Sequence, residues 1–235
     1  MNITLEKFIK TGEIEIKTGP FGTQFKASEY VESGTPVLNV KNLGYSTVIS
    51  TKIDYIGENT LERLSMHILK EGDIVFGRKG AVDRHAYISA NENGWMQGSD
   101  CIRLRVKTDK INPRYLSYYF LTAKHKAFMI SMCSHGTTMA SLNQSILSKI
   151  VIELPERYIQ DYIVSVLSIL DKKIKINEEV NKNLPHHPCN ARIAEKQRRQ
   201  ILKSEECLHT NGKIPAKGNN EETAEQFSSL SLLAA

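Results

Sequence analysis

The sequence predicts an α+β fold, a mixed domain of short strands and short helices followed by one long helix, on three observations. From Pro155 to Leu184 the chain contains no internal Gly or Pro, and Ile163, Leu167, Leu170, Ile174, Asn177, Asn181 and Leu184 recur at alternating spacings of four and three. That is the seam of a coiled-coil helix. Between residues 12 and 106, seven or so short apolar or alternating segments are separated by Gly-containing turns, the pattern of strands in a twisted multi-stranded sheet. After Asn112-Pro113 two shorter stretches show helical spacing.

Taken in order, Thr4 is placed to cap a short turn through Leu5 and Phe8, and Gly12 ends it. Glu13 to Lys17 alternates as a strand, with Ile14 and Ile16 on one side. Further strands are expected at Thr35–Val40, Thr47–Ile53, Ile74–Phe76 and Cys101–Val106, with turns at Ser33-Gly34, Asn42–Gly44 and Gly77–Gly80. Asn59 or Thr60 starts a short helix through Leu61 and Leu64. Pro113 opens a helix carrying Tyr115, Tyr118 and Tyr119, whose helical spacing suits a core better than a stacking platform. Thr122 breaks or caps it, and a second helix runs from Ala123 to about Met132. A polar loop from Ser134 to Leu142 follows, then a short helix capped by Asn143 and a strand at Ile150–Ile152.

The long helix divides the chain into a domain at 1–154, the helix at 155–184 and a tail at 185–235, weakly helical at first and then polar. At 1.5 Å per residue the helix would be a rod of roughly 45 Å. Asn177 and Asn181 are tolerated in a seam only where they meet polar partners, so they favour a specific pairing over a loose one. Val166, Ile169, Ile176 and Val180 widen the apolar surface beyond the seam, as for a helix with more than one neighbour. The alternative is a helix packed on its own domain.

The net charge is +5, and residues 1–184 carry 24 Lys and Arg against 20 Asp and Glu. Such a mild excess permits nucleic-acid binding without specifying it. The charged start has no apolar stretch of signal-peptide length, and no run of eighteen apolar residues occurs, so a cytoplasmic protein with no membrane partner is expected. Cys101, Cys133, Cys189 and Cys207 are widely spaced and fit reduced, structural thiols.

The nucleotide, metalloprotease and serine-hydrolase signatures are absent, and Asn112-Pro113-Arg114 lacks the second Pro and aromatic of a base-holding methyltransferase motif. Asp73, Asp83 and Asp100 do not make the carboxylate cluster of a metal-assisted nuclease. His186, His187, Cys189, Cys207 and His209 match no structural zinc spacing. No catalytic site, metal or cofactor is therefore expected. What remains are polar and cationic residues on turns. Lys17, Thr18 and Gln24 flank a Gly-Pro-Phe-Gly turn, Lys41 and Asn42 lie on the next, and Arg78 and Lys79 end an apolar strand with Arg84 close behind. With Gln97 and His135 these are candidate contacts to phosphates or base edges. Ordinary solvated turns have the same composition, and the residues alone leave both readings open.

The series GEIEIKTGPFGTQFKASEYVESGTPVLNVKNL, EGDIVFGRKG, CIRLRV, NPRYLSYYFL, HGTTMASLNQSIL, IVIELP and IQDYIVSVLSILDKKIKINEEVNKNL resembles, in order, one half of the specificity subunit of type I restriction-modification enzymes. The resemblance covers residues 1 to about 184. It implies a non-catalytic target recognition domain that reads a short half-site in double-stranded DNA. It also implies a long helix that pairs with a second such helix and docks methyltransferase subunits, the restriction subunit joining through the assembled complex. The usual subunit has two recognition domains and two helices, whereas here the pattern stops at Pro185. That departure suggests a half-length subunit, acting as a dimer on an interrupted palindrome, or a truncated product that binds methyltransferase without reading DNA. The Glu-Gln usual at the helix start is replaced by Ile159-Gln160.

Overall fold

The computed structural model describes residues 2–80, 82–133 and 140–183. The strands β1 (Asn2–Thr4), β2 (Ile14–Thr18), β3 (Tyr30–Val31), β4 (Thr35–Leu38), β5 (Asp54–Ile56), β6 (Ile74–Gly77), β7 (His85–Tyr87), β8 (Met96–Gln97), β9 (Cys101–Val106) and β10 (Val151–Glu153) form three sheets rather than one. One four-stranded sheet has the order β2-β9-β6-β7, a second β3-β5-β4-β8, and β1 pairs with β10 alone. The helices are α1 (Leu5–Lys10), α2 (Glu58–Arg63), α3 (Pro113–Tyr119), α4 (Ala123–Cys133), α5 (Gln144–Ser148) and α6 (Arg157–Asn183). The predicted α+β class is what the structure shows.

The sheet β2-β9-β6-β7 is buried on both faces, which explains why its central strands read as apolar runs. Ile74, Phe76, Ile102 and Leu104 point into the main core with Leu5, Phe8, Leu116, Phe120, Met129 and Leu147 of the helices. The alternate positions Val75 and Cys101 face a second cluster with Leu38, Leu43 and Ile88. Strand β9 alternates apolar and Arg residues, yet Arg103 is buried with the rest. Its guanidinium pairs with Glu15 and donates to the Met66 and Ile68 carbonyls, while Arg105 forms a two-pronged pair with buried Asp73 at 2.7 Å. A buried cation is tolerable only when paired and hydrogen-bonded in this way.

Two strand expectations are corrected. Thr47–Ile53 is not a strand, since its regular pairing is a single bridge between Leu43 and Val48. Ser46 and Lys52 adopt φ of 60° and 54°, which breaks an extended run, and Asn42 holds the intervening chain through the Ile49 and Thr51 carbonyls. The strand from Thr35 ends at Leu38 because Asn39 and Asn42 close a 3₁₀ turn, Asn39 N donating to Asn42 Oδ1 at 3.2 Å.

The helix caps follow the sequence more closely. Asn112 accepts from Arg114 N and Tyr115 N, and Asn143 accepts from Ile146 N. Thr4 stands at the N-cap of α1 without a side-chain bond. The tyrosines of α3 tie other elements to the core: Tyr115 donates to the Glu153 carbonyl, Tyr119 to the Val151 carbonyl and Tyr118 to Asp171 of α6. No described helix is long and apolar enough to cross a membrane.

Candidate nucleic-acid interface

The register of the central sheet gathers several loops at one end. β2 and β6 run antiparallel to β9, so Thr18 at the end of β2 stands opposite Ile102, and Gly77 at the end of β6 opposite Cys101. β7 returns from the same end, Phe76 opposing His85. The loops 18–25, 77–84 and 98–101 therefore share one rim. A fourth segment joins them from the helical side, where Leu142 N donates to the Arg78 carbonyl, Gly80 N to the Ala140 carbonyl, and Gln144 to Thr18 Oγ1 at 2.9 Å.

The turn after β2 is held firmly. Gly19 N donates to the Cys101 carbonyl, and a Cβ at Gly19 would stand 2.0 Å from the Gly98 carbonyl oxygen, so no larger residue fits there. Pro20 and Phe25 are buried while Phe21 to Gln24 between them are exposed. Arg63 donates to the Gln24 carbonyl and pairs with Glu29. The Arg78 guanidinium lies over the Phe21 ring, 5.9 Å from its centre. Across the rim the ring of Tyr45 lies 5.6 Å from the guanidinium of Arg84 and 4.5 Å from the ammonium of Lys126, and its hydroxyl donates to Asp83.

The rim brings together Lys17, Thr18, Gln24, Arg78, Lys79 and Arg84 of the residues the sequence nominates. Among the described residues Lys17, Arg78, Lys79, Arg84 and Lys126 have no ion-pair partner, whereas Lys41, Arg63, Arg103, Arg105, Lys107, Lys110, Arg114 and Lys124 are all paired. Five unpaired cations thus stand near where the loops converge, an arrangement suited to phosphates, and unpaired lysines such as Lys7, Lys70, Lys149 and Lys172 occur elsewhere among the described residues as well.

Other candidates are placed differently. Asn42 and Gln97 are fully buried, and their amides serve the protein's own backbone. Asn42 holds Asn39, Ile49 and Thr51, while Gln97 donates to the Lys17 and Cys101 carbonyls. Neither is presented at the surface, because each braces a turn from within. Lys41 pairs with Asp54 at 2.7 Å beside an open hollow of about 330 Å³, lined also by Tyr30, Asn39, Ser99 and Asp100. His135 lies outside the described residues, as do Leu184 and the tail.

Sequence reasoning missed Phe21, Tyr45 and Lys126. The Gly-Pro-Phe-Gly turn was the available signal for the first; nothing local marks the others, which meet only through the fold. Beneath the rim is a closed polar group. His85 Nε2 lies 2.9 Å from Ser117 Oγ, which lies 2.6 Å from Ser46 Oγ. Burial, with His125 nearby, pushes His85 down to about 3, and burial lowers His125 to about 4, so both rings are neutral at ordinary pH. Among the described residues no cluster of His, Cys, Asp or Glu is positioned to hold a metal.

The helix α6 is joined to the domain along one side. Gln160, fully buried, accepts from Asn112 N at 2.8 Å and donates to the Lys110 and Pro155 carbonyls at 2.9 Å. Asp161 accepts from Asn112 Nδ2, and Asp171 accepts from Arg114 and Tyr118. Of the seam positions, Ile163 and Leu167 are half-buried, Leu170 and Ile174 are 51% and 57% exposed, and Asn177 and Asn181 are exposed. Tyr158, Tyr162, Val166, Ile169, Ile176 and Val180 are exposed as well.

The sequence model for the type I restriction modification DNA specificity domain matches residues 9–186. The type I restriction enzyme MjaVIII specificity subunit of Methanocaldococcus jannaschii is 24% identical over 215 residues, which is 88% of this chain and 45% of that protein. The two curated relatives first matched are spanned over 36% and 45% of their length. Among solved structures, the HsdS subunit from Thermoanaerobacter tengcongensis aligns with a TM-score of 0.54 at 13% identity, over 92% of this chain and 51% of that one. The type I restriction-modification S subunit from M. genitalium aligns with a TM-score of 0.53 at 15% identity, over 76% and 41%. These structural likenesses show a shared fold.

Proposed function

The chain belongs to the type I restriction modification DNA specificity domain family, and on that premise we propose that it is a non-catalytic DNA-recognition subunit that directs methyltransferase and restriction subunits to a target. The observation that carries this reading is the rim of converging loops on which Lys17, Arg78, Lys79, Arg84 and Lys126 stand without ion-pair partners among the described residues. Domain 1–154 reads one half-site. The helix supplies the second part of the function.

Its exposed Leu170, Ile174, Ile176 and Val180 support pairing of two copies and docking of methyltransferase on the remaining apolar surface. With 27 residues α6 is roughly 40 Å long, against about 34 Å per turn of DNA. Two antiparallel copies would then offer their rims to half-sites about a turn apart, and two-fold symmetry makes the target an interrupted palindrome.

Replacing Arg78 and Lys79 together by Ala tests the interface. Each phosphate that the protein ceases to neutralise lowers the slope of log K against log salt by about 0.9, so the slope of the double variant should fall by between about one and two units. An unchanged slope in an anisotropy titration would remove these residues from the interface.

A further inference from the structure

We infer that Phe21 is a base-contacting residue, an aromatic ring set among phosphate-binding cations so that it wedges against the bases of a duplex step that it partly opens. The inference rests on the DNA-recognition reading above and adds to it an interaction of a different kind. Three observations lead there. Phe21 is 61% exposed, although large aromatic side chains bury 150–250 Å² when they can. Its position is not loose, because Pro20 and Phe25 on either side are buried, Gly19 cannot be replaced without striking the Gly98 carbonyl, and Arg63 clamps the Gln24 carbonyl. The backbone is thus fixed to present the ring outward, and such pre-organisation lowers the cost of binding.

The chemistry around the ring selects its partner. Arg78 lies over Phe21 and has no carboxylate partner among the described residues, and Lys79 follows it. An aromatic face beside two uncompensated cations matches a ligand with flat π surfaces strung on a polyanion. On a single strand an aromatic ring stacks with little regard to sequence; in a duplex the ring must partly unstack the step it enters, so it favours easily opened steps and reads shape. Phe21 and Arg78 therefore divide the work: Arg78 acts through charge and responds to salt, while Phe21 acts through stacking and does not.

That division supplies the test. The full chain and its variants are titrated, across a range of salt, onto a fluorescein-labelled duplex that the full chain selects from a random-sequence pool. Phe21→Ala should weaken binding by about tenfold at every salt concentration, with the salt slope and the thermal unfolding midpoint of the protein unchanged. In Phe21→Trp the added indole emission should be quenched by the duplex, whereas Trp95 of the parent chain, half-buried against the second core cluster, should not respond.

Binding by Phe21→Ala within about twofold of the parent would overturn the inference, and so would a weakening accompanied by the same fall in slope as Arg78→Ala. Weakened methyltransferase binding with DNA affinity intact would overturn it too, by assigning the ring to a protein partner. These results leave the recognition reading standing. Failure of the parent chain to select any duplex, alone and with methyltransferase subunits, would remove both.

Discussion

Replacing Gln160 by Ala should unfold the joint between the domain and α6. The side chain is fully buried and makes three hydrogen bonds, all to backbone groups: Asn112 N, the Lys110 carbonyl and the Pro155 carbonyl. Removing it leaves one N–H and two carbonyls without partners. An orphaned buried polar group costs roughly 1–3 kcal/mol, but a water admitted to the space would restore part of this, so the lower end applies to each. The sum is about 3 kcal/mol. With a urea dependence on the order of 2 kcal/mol per molar, the denaturation midpoint followed by circular dichroism should fall by about 1.5 M. Gln160→Glu should do no better, since a carboxylate would direct an acceptor at two carbonyls. A midpoint shifted by less than about 0.3 M in Gln160→Ala, or parent-like stability in Gln160→Glu, would refute the reasoning.

Two other outcomes follow from buried and exposed groups. His85 and His125, lowered by burial to about 3 and about 4 from an ordinary 6.5, bind protons more readily unfolded than folded, so their contribution is present above pH 6.5 and is lost as pH falls. Between pH 6.5 and 5, above the range where the carboxylates titrate, stability should drop by up to about 1.4 kcal/mol per pH unit for each histidine; a flat urea midpoint across that window would contradict it. On α6, Leu170→Asp with Ile174→Asp should leave the domain folded, both side chains being exposed, while abolishing self-association and methyltransferase binding. Sedimentation showing the parent chain monomeric even with methyltransferase and DNA would refute the pairing.

Periodicity disclosed the elements whose stability comes from their own pattern. The long helix, the strands β6 and β9, and the caps at Asn112 and Asn143 all lie where apolar spacing and short-range chemistry put them. It failed where tertiary contacts outrank local preference. Thr47–Ile53 alternates well enough for a strand, but Asn42 captures its carbonyls and Ser46 turns with a positive φ. Arg103 in an alternating strand suggests a wet face, yet Glu15 and two carbonyls make its burial tolerable. The candidate interface divided the same way. Gln24, Arg78, Lys79 and Arg84 were legible as loop residues and lie in the converging loops, whereas Lys17 and Thr18, expected on the turn, are the last residues of strand β2 because the ladder with β9 runs on to Ile102. Which amides are spent internally, as at Asn42 and Gln97, depends on partners up to 80 positions away, which no local pattern records.

The joint at the base of α6 gives a reason for a cluster that reading DNA would not by itself require. Arg114 lies 4.6 Å from the centres of both the Tyr87 and Tyr118 rings, donates to Ser46 Oγ at 3.2 Å and pairs with Asp171 at 2.8 Å. One guanidinium thus fastens the turn at Ser46, strand β7, helix α3 and helix α6. If α6 is the spacer between two recognition domains, an angular error at its base is multiplied by its length. A tilt of about 10° over roughly 40 Å displaces the far end by about 7 Å, or about two base pairs at 3.4 Å each. A loosely hinged helix would accept half-sites at several spacings, so fidelity in spacing demands stiffness at the joint. Buried Gln160 fixes the helix axially, and the stacked Arg114 with Tyr118 and Asp171 fixes it laterally three turns further on. A planar guanidinium between two rings suits that task better than an ammonium, because it holds its orientation as well as its charge.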